Sequence, residues 1–165
     1  FKNAIIFRPS VVFGPEDNFT NKFAQMASIS PFMPLINSGK TNFQPVYVKD
    51  IAKAARLVLK SKSFNGKVYN LGGPEILNFK EILDLILLTI RKKRIYVPLS
   101  FPIAKLICLI FTLSPVKPLT LDQVKLLEKD NIVPEKGQGI EDLGIKPSSI
   151  YTISEDYLKR YRTRY

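Results

Sequence analysis

Histidine and tryptophan are absent from the 165 residues, and a single cysteine, Cys108, lies inside an apolar run. Without histidine the chain cannot by itself supply a Ser-His pair or a His-ligated zinc site. One thiol allows no disulfide within the chain, which excludes a cystine-stapled scaffold and makes a reducing compartment the natural setting. Glycine-rich phosphate cradles are missing too. There is no Gly-x-Gly-x-x-Gly, and Gly72-Gly73 is a lone pair running into Pro74, so no pyrophosphate site on a helix N-terminus is encoded. No uninterrupted apolar stretch approaches the roughly 20 residues of a spanning helix. Acids are scarce: 14 against 25 lysines and arginines, for a net charge of +11.

What is present describes a packed globule. A hydrophobic content of 45% over this length suffices for one domain's core and excludes a disordered chain. Arg91-Lys92-Lys93-Arg94 and Lys159-Arg160-Tyr161-Arg162-Thr163-Arg164 concentrate the positive charge. Such blocks attract lipid headgroups, nucleic acid or acidic proteins, or simply form solvated faces. Specific nucleic-acid binding is not expected, because no recognised motif is present and the aromatics fall at core spacing.

Periodicity gives the element order. Ala4-Ile5-Ile6-Phe7, a Pro9-Ser10 break and Val11-Val12-Phe13 predict a buried strand opening at Gly14-Pro15 into a loop and helix. Asn18 is positioned to cap that helix, whose Phe19, Phe23, Met26 and Ala27 form one stripe. Residues 31–43 carry Pro31, Pro34 and Asn37-Ser38-Gly39 and predict a loop. Pro45 to Val48 predicts a short strand, and Asp50 a cap for the helix after it. Lys67 to Leu71 predicts a strand, and Asn78 with Glu81 a capping box for the apolar helix reaching Ile90. Ile95 to Val97 is a further strand. Phe101 to Leu113 reads as a buried core helix, or as an interfacial one. Thr120 starts a helix with Leu121, Val124 and Leu127 inward, and Ser154 starts a last one.

Five segments carry a resemblance. They are Arg8-Pro9-Ser10-Val11-Val12-Phe13-Gly14-Pro15, Pro45-Val46-Tyr47-Val48-Lys49-Asp50-Ile51-Ala52, Tyr69-Asn70-Leu71-Gly72-Gly73-Pro74-Glu75, Leu119 to Leu127, and Leu143-Gly144-Ile145-Lys146-Pro147. Together they resemble the extended and atypical short-chain dehydrogenase/reductases, the NAD-dependent epimerase/dehydratase superfamily. Within it the chain is most similar to the NAD(P)H-binding accessory subunit of respiratory complex I and its bacterial relatives. The resemblance implies an α/β fold, the C-terminal portion of a Rossmann-like domain with a helix-rich smaller lobe. Residues 1–30 and 64–76 would belong to the Rossmann sheet, and 31–63 and 77–165 to the substrate-side lobe. The missing N-terminal half of the domain would complete the sheet.

The same resemblance implies NADPH or NADH bound by the complete protein and partners among complex I subunits or an anionic membrane surface. It places the protein peripherally, on the cytoplasmic face of a bacterial inner membrane or the matrix side of the mitochondrial one. A non-catalytic structural role is the leading expectation. An NAD(P)-dependent epimerase, dehydratase or reductase acting on a nucleotide-sugar or small carbonyl is the alternative. The superfamily's Tyr-x-x-x-Lys pair is absent, since none of the seven tyrosines has lysine four residues on.

Carried over by motif, Pro9, Ser10, Val11 and Val12 would face the nicotinamide, where a strand end offers N–H and C=O groups and Ser10 a hydroxyl. Equally, Pro9 ends a strand and the valines are core. Arg8, Lys40, Gln44, Asn70 and Gly73 are candidates for a substrate-side pocket. Glu16 and Asp17, just before a helix, read as helix-dipole charges rather than an acid/base pair.

Overall fold

The computed structural model describes residues 2–110 and 120–162. The opening apolar run forms two short strands instead of one. β1 (Ile6–Pro9) pairs in parallel with β6 (Val68–Leu71), placing Arg8 opposite Asn70. The chain bends at Ser10-Val11 and continues as β2 (Val12–Phe13), parallel to β5 (Val46–Tyr47). β1 is not the fully buried strand its composition predicts. Ile5 and Phe7 pack against a core, but Ile6 is 44% exposed and Arg8 is exposed. Its flank away from β6 has no strand among the described residues.

Residues 31–43 are not simply a loop. β3 (Phe32–Ile36) pairs in parallel with β8 (Ile95–Leu99), and only then does a left-handed turn follow at Asn37 and Ser38, with φ of 50° and 54°. Two prolines concealed the pairing. Ile95 N–H donates to Pro31 C=O (3.0 Å), which fixes the alternation. Met33 and Leu35 then face β8, while Pro34 and Pro98 turn their missing N–H groups outward. β4 (Asn42–Phe43) and β7 (Leu77–Asn78) form an antiparallel pair.

The helices are α1 (Thr20–Ile29), α2 (Val48–Val58), α3 (Phe79–Thr89), α4 (Phe101–Ile110), α5 (Leu121–Leu126) and α6 (Ile150–Leu158). α3 begins on the expected capping box: Glu81 N–H donates to Asn78 Oδ1 (2.9 Å) and Asn78 N–H to Glu81 Oε2 (2.7 Å). α5 begins on another, between Thr120 and Gln123, although Leu121 is 40% exposed instead of inward. α6 starts four residues earlier than expected, with the Ser149 hydroxyl as cap. Asn18 does not cap α1. Asp17 does, accepting from Phe19 N–H (2.8 Å) and Thr20 N–H (2.6 Å), as its place before the helix allows. Asp50 is not a cap either but a fully buried residue of α2's first turn.

The larger core lies between α1, α3 and α6. Phe19, Phe23, Phe43 and Phe79 interlock there, with Phe23 and Phe79 rings 5.2 Å apart. The smaller core joins β1, β6 and α2 through Tyr69, Leu71, Ala54 and Val58. The packing therefore groups α2, from the 31–63 segment, with the sheet, and α1 with the helix-rich lobe.

α4 is not a buried helix. Only Ala104 and Cys108 are buried, while Ile103, Leu106, Leu109 and Ile110 are 51–65% exposed. The rest of the predicted helix, through Leu113, lies outside the described residues, as do Thr163 and Arg164. The basic blocks are partly spent on helix ends. Arg94 donates to Ala27 C=O (2.7 Å) at the end of α1, and Arg162 to Thr89 C=O (2.8 Å) at the end of α3, where cations complement the dipole.

Candidate functional site

The bend at Ser10-Val11 hands the chain from one partner strand to another. Ser10 N–H donates to Leu71 C=O (3.0 Å) and Val46 N–H to Val11 C=O (2.9 Å). The Ser10 side chain, 5% exposed, donates its hydroxyl proton to Asn131 C=O and accepts from Gln44 N–H at 3.2 Å. Its one donor is therefore used inside the protein. Val11 is buried in the larger core. Val12 is half-buried and borders two adjoining clefts of about 560 and 570 Å³. Because Val46 bonds to Val11 and its register partner is Val12, the pattern of a parallel pair turns Val12's own N–H and C=O to the open flank. Among the described residues neither group has a partner, and a donor beside an acceptor fits a carboxamide. Pro9, without an N–H, offers only its carbonyl.

The other candidates divide into two groups. Gln44 and Gly73 meet: Gln44 Nε2 donates to Gly73 C=O (2.9 Å), and Gln44 Oε1 accepts from Val133 N–H (3.1 Å). A Cβ on residue 73 would lie 1.8 Å from Pro45 O, so the backbones touch and only glycine fits. This amide is a three-way stitch, and its reach stops at protein groups. Asn70 shares with Gln44 a separate cleft of about 340 Å³, rimmed by Glu135, Glu141 and Asp142. Arg8 is exposed across the sheet from Asn70, and Lys40 stands exposed after the Asn37–Gly39 turn, joined to none of these. The nine candidates do not converge on one pocket.

A hub that local spacing missed stands beside the 560 Å³ cleft. Asp17 Oδ2 accepts from Gly14 N–H (3.0 Å), the Thr20 hydroxyl (2.6 Å) and the Tyr157 hydroxyl (3.2 Å). Asn21 Nδ2 donates to the carbonyls of Gly14, Pro15 and Asp17, and Arg160 to Pro15 C=O (3.0 Å) and Asn21 Oδ1 (2.6 Å). The cleft-lining loop is thus held from α1 and from the segment of α6. Burial, then the neighbouring Asp17 charge, pushes the Tyr157 hydroxyl well above the usual phenol range, which keeps it a donor. Asp17's position before a helix was the readable signal. Tyr157 and Arg160, about 140 positions away in sequence, left none.

Asp50 fixes the loop that leads into α6. Its carboxylate accepts from Lys53 Nζ (2.7 Å) and Ser148 N–H (2.7 Å). Burial alone would raise its pKa, but the Lys53 and Ser148 bonds outweigh burial and hold it below the ordinary 3.8.

No protein-family model matches the chain. Among curated proteins it is 34% identical to the mitochondrial NADH dehydrogenase (ubiquinone) 1 alpha subcomplex subunit 9 of Arabidopsis thaliana, over 96% of this chain and 42% of that one. The Mus musculus protein of the same name is 34% identical over 99% of this chain and 44% of its own. The chain thus spans less than half the length of these relatives. Among solved structures, the dTDP-glucose 4,6-dehydratase of Bacillus anthracis in complex with NAD superposes with a TM-score of 0.66, at 17% identity, over 95% of this chain and 44% of that one. That likeness establishes the fold. The chain is homologous, along nearly all of its own length, to a part of these NADH dehydrogenase subunits, and it carries the fold of part of a Rossmann-like short-chain dehydrogenase/reductase.

Proposed function

We propose that this chain forms the C-terminal part of a non-catalytic, NAD(P)H-binding structural subunit of NADH:ubiquinone oxidoreductase, held peripherally at the inner membrane. The 34% identity along 96–99% of the chain to subunits of that complex is the observation that carries this reading. Pro9, Ser10, Val11 and Val12 form the far wall of the nucleotide site. In it Val12's backbone meets the carboxamide, and Ser10 acts through the Asn131 and Gln44 bonds that hold the wall. NADPH or NADH is the ligand of the complete protein. The open flank of β1 takes a further parallel strand from outside residues 2–162, completing the sheet that the nucleotide crosses. Among the described residues no helix is long and apolar enough to cross a membrane.

The experiment is nucleotide retention and turnover by the full-length protein. It should copurify with NADPH or NADH and oxidise neither with a nucleotide-sugar nor with a small carbonyl. Sustained turnover of either substrate would replace this reading with an epimerase, dehydratase or reductase.

A further inference from the structure

α6 runs on into a single 3-10 turn, Lys159–Tyr161, and the chain becomes extended at Arg162. The two arginines of this segment reach different elements. Arg162 donates to Thr89 C=O (2.8 Å) at the end of α3 and pairs with Glu155 (3.2 Å). Arg160 reaches the start of α1 instead. There one guanidinium nitrogen donates to Pro15 C=O (3.0 Å) and to Asn21 Oδ1 (2.6 Å), and the Tyr161 ring lies 5.1 Å from the guanidinium carbon.

Asn21 is 7% exposed, and its amide has only one workable sense. A guanidinium only donates, so the amide oxygen faces Arg160. The amide nitrogen is then turned to the loop before α1, where it meets the carbonyls of Gly14 (3.2 Å), Pro15 (3.2 Å) and Asp17 (3.1 Å). Those carbonyls demand the same sense from the other side. Loop and tail segment are thereby joined through one buried side chain.

The loop has little else to fix it. Residues Gly14 to Asn18 belong to no helix or strand, and Pro15 has no N–H to contribute. Among the described residues, Pro15 C=O accepts from Asn21 and Arg160 alone. The same loop lines the 560 Å³ cleft, across which stand Val48 and Lys49. It follows Val12 by two residues, and Val12 supplies the open backbone groups of the nucleotide wall.

We propose that Arg160, acting through Asn21, is a positioning residue for that wall, so that nucleotide binding and docking of the Lys159–Arg162 segment are coupled. The proposal rests on the nucleotide reading given above and adds to it a residue nearly 150 positions from the wall. Arg160 acts without touching the nucleotide. The coupling is reciprocal: affinity gained from an ordered loop is returned as protection of the segment when nucleotide binds.

The test uses full-length protein, stripped of nucleotide and titrated with NADPH and with NADH, with amide exchange and the unfolding midpoint recorded beside each titration. Arg160→Ala should weaken nucleotide binding about fivefold or more and speed exchange across Gly14–Asn21. Arg160→Lys, which keeps a charged donor for Asn21 Oδ1, should recover most of both. Arg162→Ala removes the same charge from the same segment but leaves the loop untouched, and should leave the affinity unchanged. In the wild type, added nucleotide should slow exchange at Arg160–Arg162, a measurement that needs no variant. Equal weakening by the two alanine variants overturns the proposal, since net charge then accounts for it. A looser loop with unaltered affinity overturns it too, and so does a segment whose exchange ignores the nucleotide. A wild type that binds neither nucleotide overturns the nucleotide reading and the coupling together, while loop exchange in Arg160→Ala still decides whether the guanidinium holds the wall.

Discussion

The two cores of this molecule are built on different principles. Around α1, α3 and α6, 26 of the described residues form one buried cluster packed between elements of the chain itself. Around β1, β6 and α2 the buried cluster has only seven of the described residues. There β1 has one face on α2, a second face exposing Ile6 and Arg8, and an unpaired flank. The first region specifies its own shape. The second, among the described residues, leaves strand hydrogen-bonding groups and apolar surface uncovered. The difference explains why the candidate nucleotide wall, built on β1 and β2, is held by polar stitches from Gln44, Asn131 and the α6 segment. Apolar packing is available on one side only.

The sharpest way to test this comparison is to truncate one buried side chain in each core. Phe23, 1% exposed at the centre of the phenylalanine cluster, should cost about 3–5 kcal/mol when changed to alanine. Val58→Ala, 5% exposed in the smaller core, should cost about 1–2 kcal/mol. Amide exchange measured alongside should show β1 and β6 opening well before α3 in the unaltered chain. Equal protection of β1 and α3 would mean that the sheet region is as self-sufficient as the helical one.

Acid should affect the two regions unequally too. Asp50 has a folded pKa below its ordinary 3.8. The stability it contributes is complete above that value and is lost as the pH falls through the lowered pKa. Asp50→Asn removes the charge that Lys53 and Ser148 address and should cost about 2 kcal/mol near neutrality. As the pH falls through that lowered pKa the difference should shrink, since the wild-type carboxyl then becomes protonated as well. Denaturant titrations of both proteins across this range measure it. A gap that persists undiminished in acid would show that the Asp50 charge contributes nothing.

What was legible in the sequence follows the same division. The α3 helix was readable to within a residue, because its capping box and apolar stripe are local. The β1 and β6 segments were readable because strand composition and motif coincide. β3 was hidden by Pro31 and Pro34, whose cost vanishes only once β8 is known to lie on the other flank. Of the two readings of α4 the buried one fails, because uniform apolarity signals burial only if something covers the helix. Of the site, Val12's open backbone follows from register, which no single-strand pattern encodes. Gln44 looked like a ligand arm because its two side-chain partners, Gly73 and Val133, lie far from it in sequence.

The smallest expected effect concerns the link between the two regions. Tyr157, on α6 in the larger core, reaches the loop after β2 through Thr20 Oγ1 (2.8 Å) and Asp17 Oδ2 (3.2 Å). Tyr157→Phe keeps the ring's packing and removes only the hydroxyl. The global cost should be about 1 kcal/mol, because Asp17 retains its amide donors from Gly14, Phe19 and Thr20. The loss should be local: amides of the Gly14–Asn21 segment exchanging faster, with those of α3 and β6 unchanged relative to global stability. If the loop instead keeps its protection, Arg160 and Asn21 alone hold it. The cleft wall would then be set by α1 and the basic end of the chain, with the tyrosine serving only as core packing.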